Sequence, residues 1–198
     1  MILFLIDKLL GAIVALPLVL TFLFVFDKMR LQKKWPWAAL FVVYMNAMLI
    51  IVGIPYATYI RWDPTLNLIP FQDFSSSNML GMGLNILMFV PFGAFLPIYF
   101  KRFRKLVITA CAGASMSLII ELLQLFVFRA TDIDDLIMNT IGTIVGYMIG
   151  TLIVRFFAKE EECHNDILML VSMITGSILV VVFVNGPLSA FVFGMLYD

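Results

Sequence analysis

The sequence predicts an all-α fold, a polytopic transmembrane helical bundle of about six spans with both termini extracytoplasmic. Three observations predict it. Of 198 residues, 63% are hydrophobic and only 13% are charged, against roughly 25% charged in a soluble chain, and the mean hydropathy is +1.05. The apolar residues gather into stretches near the length of about 20 that carries an α-helix across the hydrocarbon core. Finally, the basic residues fall in alternate loops. The chain from residue 1 to 198 then reads as a single transmembrane domain.

The first apolar stretch, Leu9 to Phe26, is interrupted at its start by Asp7 and Lys8 and followed by Asp27, Lys28 and Arg30. A cleaved signal peptide places its positive charges in front, so a retained helix is expected. Four stretches follow: Pro36 to Ile60, Met79 to Phe100, Leu106 to Phe128 and Leu136 to Phe157. The sixth runs from Ile167 to about Phe193 and carries "NGP" at Asn185 to Pro187. Proline removes a backbone donor and clashes with the preceding turn, so this stretch should kink or end there.

Orientation follows from the loops. Lys28, Arg30, Lys33, Lys34, Lys101, Arg102, Arg104, Lys105, Arg155 and Lys159 lie after stretches one, three and five, whereas Lys8, Arg61 and Arg129 lie on the other side. The bias toward the cytoplasm places the loops after stretches two and four outside. The formal net charge of +0 hides this asymmetry, because Asp63, Asp73, Asp132, Asp134 and Asp135 fall on the outer side. No basic nucleic-acid surface is present, and "EEE" at 160 to 162 reads as a solvated loop. Cys111 and Cys163 both fall toward the cytoplasmic side, so no disulfide framework is implied. The pair Cys163 and His164 is too small for a metal centre, which takes three or four ligands.

Polar side chains inside a span are costly and mark function by default. Asn85 lies about 9 Å below the outer end of the third stretch, and Glu121 and Gln124 lie about 10 and 6 Å below the outer end of the fourth. Asn139 lies about one turn into the fifth, with Asp132 and Asp135 at its entrance. Helical periodicity puts Ser117, Glu121 and Gln124 on one stripe, and Asp135, Asn139, Gly142 and Gly146 on another. Both stripes can face one cleft. Gly142, Gly146 and Gly150 repeat the small-xxx-small spacing that lets membrane helices approach closely, and Pro91 and Pro97 predict a kinked third helix.

Glu121 would take up a proton in hydrocarbon unless a cation were near, and Arg129 is the nearest candidate. The two can form a structural ion pair, or together grip a polar or phosphate-bearing head group, since the planar guanidinium fork suits phosphate. "TDIDD" (131 to 135) also reads as a helix start, with Thr131 or Asp132 as cap. Asp132 and Asp135 remain able to hold a hard cation with Glu121. No cofactor and no oligomeric state are specified.

The motifs "NLIPF" (67 to 71), "NILMFVPFGAFLP" (85 to 97), "SLIIELLQLF" (117 to 126) and "RATDIDDLIMNTIGTIVGY" (129 to 147), in this order and spacing, resemble the VanZ-like family of bacterial membrane proteins. The resemblance covers a core of about Asn67 to Gly150. Asn85, Pro91, Gly93, Glu121, Gln124, Arg129, Asp132, Asp135, Asn139 and Gly142 occupy its motif positions. It implies a multi-pass protein of the bacterial cytoplasmic membrane, whose namesake is associated with low-level resistance to the glycopeptide teicoplanin. It implies no settled reaction.

The expected function is binding. Asn85, Ser117, Glu121, Gln124, Arg129, Asp132, Asp135 and Asn139 would line an outward-opening polar cleft for a membrane lipid, a lipid-linked peptidoglycan precursor or the glycopeptide itself. A metal-assisted hydrolase or transferase acting on an envelope lipid is the alternative, served by clustered acids. No outer-side histidine, Ser/His pair or HExxH motif supports it. Transport is a third alternative, without a visible coupling-ion pattern or clear inverted repeat.

Overall fold

Long apolar runs dictate helices, because a backbone inside a bilayer must satisfy its own hydrogen bonds. The structure, a computed structural model, describes residues 35–57, 60–62, 65–72, 76–127, 131–157, 166–185 and 187. Among them are helices α1 (Trp35–Val52), α2 (Ser76–Tyr99), α3 (Leu106–Gln124), α4 (Ile133–Phe157) and α5 (Asp166–Val180). A 3₁₀ turn spans Lys101–Arg104, and a π-helical segment, Val181–Asn185, continues α5. Among the described residues, four segments are long and apolar enough to cross a membrane: Met79–Tyr99, Leu106–Gln124, Ile133–Phe156 and Ile167–Val184. The expected first stretch, Asp63, Asp73, Arg129, the acidic run at 160 to 162, Cys163 and His164 lie outside the described residues.

Internal contacts divide the chain into two units, Met1–Arg61 with Leu168–Asp198, and Trp62–Ile167. In the first unit, α1 ends earlier than the apolar pattern predicts. The stretch Pro36 to Ile60 is helical only to Val52, because Gly53 adopts a φ of 80° and its N–H closes on Leu49 O at 3.1 Å. This is a left-handed cap. Asn46, a buried polar residue of α1, donates through Nδ2 to Val42 O at 2.8 Å and to Ser177 Oγ at 3.3 Å.

The second unit is built on the pair α2 and α4, which run parallel in close contact. A Cβ added to Gly142, Gly146 or Gly150 would overlap the carbonyl oxygens of Ile86, Val90 and Ala94 respectively. The small-xxx-small stripe is therefore a seam in which backbone meets backbone. Thr143 stands where three helices converge. Its backbone lies against Gly93 of α2 and its side chain against Gly113 of α3, and its hydroxyl donates to Asn139 O at 2.9 Å. Helix α2 runs without a break through Pro91 and Pro97. Phe89, Phe92 and Leu96 of α2, with Met116 and Ile120 of α3, are buried.

Helix α3 stops at Gln124 rather than continuing to Phe128. Tighter i to i+3 bonds, Phe126 N to Leu123 O and Val127 N to Gln124 O, both 3.1 Å, close its end. Helix α4 starts three residues before the expected Leu136. Two short strands, β1 (Leu66–Asn67) and β2 (Thr131–Asp132), pair in parallel, with Leu66 opposite Thr131 and Asn67 opposite Asp132. This bridge lies outside the all-helical expectation and ties the segment before α2 to the start of α4.

Candidate functional site

The start of α4 organises the polar end of the second unit. Asp132 Oδ1 accepts the N–H of Asp134 at 2.9 Å, the geometry of an N-cap, which is why α4 begins at Ile133. The other oxygen, Oδ2, accepts Asn67 Nδ2 at 3.2 Å. The backbone N–H of Asp132 donates to Glu121 Oε2 at 3.1 Å, and Thr131 Oγ1 donates to Glu121 O at 3.2 Å. Asp132 thus links β1, α3 and α4.

Asp134 holds the chain after β1. The N–H of Phe71 donates to both its carboxylate oxygens, at 3.0 and 3.1 Å. Phe71 has a φ of 58°, a left-handed conformation uncommon outside glycine. Next to the end of α3, Trp62 packs on Phe126 with ring centroids 5.2 Å apart.

Two further bonds join the helices below this layer. Asn85 Nδ2 of α2 donates to Asp135 Oδ1 of α4. One turn deeper, Asn139 Nδ2 of α4 donates to Ser117 Oγ of α3 at 2.8 Å. Ser117, Glu121, Gln124, Asp134 and Asn139 are buried, while Asn67, Asn85, Asp132 and Asp135 are half-buried. Asn139 Oδ1 is buried without a hydrogen-bond partner among the described residues. A carbonyl oxygen left unsatisfied in the interior costs about 1–3 kcal/mol, so such a group calls for a partner.

The structure therefore gathers Asn85, Ser117, Glu121, Asp132, Asp135 and Asn139 at one end of the three helices, with Gln124 buried at the same end of α3. Arg129, the expected cation, lies outside the described residues. Asn67 and Asp134 join the cluster although the sequence reading does not count them as site residues. Their signal was present in "NLIPF" and "TDIDD", but no local periodicity says that these segments meet. Each donor to these carboxylates named above is neutral, a backbone N–H or an asparagine amide. Among the described residues no three His, Cys, Asp or Glu side chains are arranged to hold a metal ion. Asp132 and Asp135 instead turn to Asn67 and Asn85, so the expected grouping of the two with Glu121 around a cation is not formed by the described residues.

Membrane-length helices with a polar network at one end define a multi-helix membrane protein. The chain belongs to the VanZ/LLP1 family, which it matches over residues 38–155. The match takes in most of α1, so it begins well before the motif core at Asn67. The chain is also 39% identical over 83 residues to "Protein VanZ" of Enterococcus faecium, in an alignment covering 41% of this chain and 50% of that protein. It thus spans about half the length of the curated relative it matches. No solved structure matches the chain.

Proposed function

We propose that this polar cluster binds the head group of a lipid-linked or amphiphilic cell-envelope molecule, in a cleft opening to the outer face of the bacterial cytoplasmic membrane. The observation that carries this reading is the convergence of polar side chains from three apolar helices on one end of the unit, with a buried acceptor, Asn139 Oδ1, left without a partner among the described residues. A network serving packing alone would satisfy such a group within the protein. Arg129 contacts the anionic part of the ligand, Asn85, Glu121, Gln124 and Asn139 supply hydrogen bonds, and Asp132 and Asp135 order the mouth. The basic loops set the outward orientation, with about six spans and both termini outside.

A lipid-linked peptidoglycan precursor and a glycopeptide such as teicoplanin both fit this chemistry. Resistance would arise by masking the antibiotic's target at the membrane surface. The test is native mass spectrometry of the purified protein beside Glu121→Gln and Arg129→Ala. Retention of an unmodified envelope lipid by wild type, weakened in both variants, is expected. A chemically altered lipid would favour the hydrolase or transferase alternative, and equal occupancy in all three proteins would reduce the cluster to helix packing.

A further inference from the structure

The opposite end of the second unit is basic. The connection between α2 and α3 is "KRFRK", Lys101 to Lys105, mostly a 3₁₀ turn. Lys101, Arg102 and Lys105 are exposed, and Phe103 between them is buried, its ring 5.7 Å from that of Phe100. Two carbonyls hold the turn in place: Phe103 O accepts the Thr109 hydroxyl at 2.6 Å, and Arg104 O accepts the Tyr147 hydroxyl at 2.9 Å. The cations are therefore mounted on a fixed turn rather than a loose loop. Because α2 and α4 run parallel, Arg155 in the last turn of α4 lies at this same end. Residues 76–120 and 136–157 contain no Asp or Glu, and the acids Glu160, Glu161, Glu162 and Asp166 come only after the end of α4 in the sequence. Arg104 is half-buried, and its buried Nε has no hydrogen-bond partner among the described residues.

We propose that this turn binds the phosphate of an anionic phospholipid in the leaflet at that end, a site separate from the head-group cluster. A guanidinium fork donates two parallel bonds to a phosphate, and the exposed Arg102 carries such a fork on this turn. Exposed apolar side chains adjoin the cations, with Val107 at 72% and Phe156 at 72% exposed. These suit acyl chains and offer nothing to a soluble anion. Cations beside an anionic membrane surface each strengthen the attraction.

The test incubates the full chain in neutral detergent with equal amounts of phosphatidylglycerol and phosphatidylcholine of matched chains, then quantifies the lipid carried through gel filtration. Wild type is expected to retain phosphatidylglycerol preferentially. Lys101→Gln with Arg102→Gln and Lys105→Gln should cut that preference about tenfold or more, and Arg102→Lys should weaken it while keeping the charge. Raising the salt on wild type alone should lower the preference as well, a measurement that does not depend on any variant folding. Equal retention of both lipids by wild type would overturn the proposal, as would a preference surviving in the triple variant or insensitive to salt. Displacement by soluble glycerol phosphate as readily as by phosphatidylglycerol would point to a soluble-anion site and overturn it too.

Discussion

The carboxylate of Glu121, near the end of α3, accepts the backbone N–H of Asp132 at 3.1 Å. Asp132 in turn caps α4 through Asp134 N and receives Asn67. One buried acid thereby fixes where the next helix starts and where the segment before α2 attaches.

Glu121→Gln keeps an oxygen that can accept this N–H, whereas Glu121→Ala leaves the N–H without its acceptor. The alanine variant should lose about 1–3 kcal/mol of stability, and the glutamine variant should unfold near wild type. Thermal unfolding in detergent, followed by circular dichroism, checks both. Equal losses would mean that the charge, not the acceptor, matters at this position.

The helix seam makes a sharper contrast. A methyl at Gly146 meets Val90 O and the backbone nitrogen of Ala94, whereas among the described residues nothing lies within 4 Å of a methyl at Gly81. Gly146→Ala should cost about 1–3 kcal/mol through overpacking. Gly81→Ala should be neutral or stabilising by up to about 1 kcal/mol, because alanine is the better helix former. Melting temperatures of the two variants, measured side by side, decide whether the seam is as tight as its geometry requires.

Ser117 and Asn139 join α3 to α4 through a buried bond of 2.8 Å. A double-mutant cycle with Ser117→Ala and Asn139→Ala should give a coupling of about 0.6 kcal/mol, with an upper bound near ~1.7, as found for hydrogen bonds between membrane helices. Zero coupling would show that the pair contributes no net stability to helix association.

Phe71 combines a φ of 58° with an N–H bound to Asp134. Phe71→Asn should be tolerated, since asparagine enters the left-handed region readily, while the β-branched Phe71→Val should destabilise by about 1–2 kcal/mol. Asp134→Ala should speed hydrogen exchange at the Phe71 amide. Unchanged protection there would mean that the carboxylate does not hold this segment.

Much of the candidate site was legible because helical periodicity is a local property. Ser117 and Glu121 fall on one stripe from spacing alone, and the acids of "TDIDD" announce a helix start that Asp132 does cap. The end of α1 was less legible. Apolar character continues past Val52, and the stop depends on the left-handed Gly53, a conformation that hydropathy does not register.

The sequence by itself determined that the chain is a helical membrane protein, that its polar residues gather toward one end of three helices, and that glycines at 142, 146 and 150 would form a close seam. These follow from local composition and a period of 3.6 residues. Only the tertiary structure decided which polar groups meet. Asn67 reaches Asp132 across 65 residues of chain, and Phe71 reaches Asp134 across 63, while Thr143 became the point where three helices converge. Such pairings depend on the register between helices. That register is set by which backbones can approach over the glycines, a property of the packed bundle rather than of any one segment.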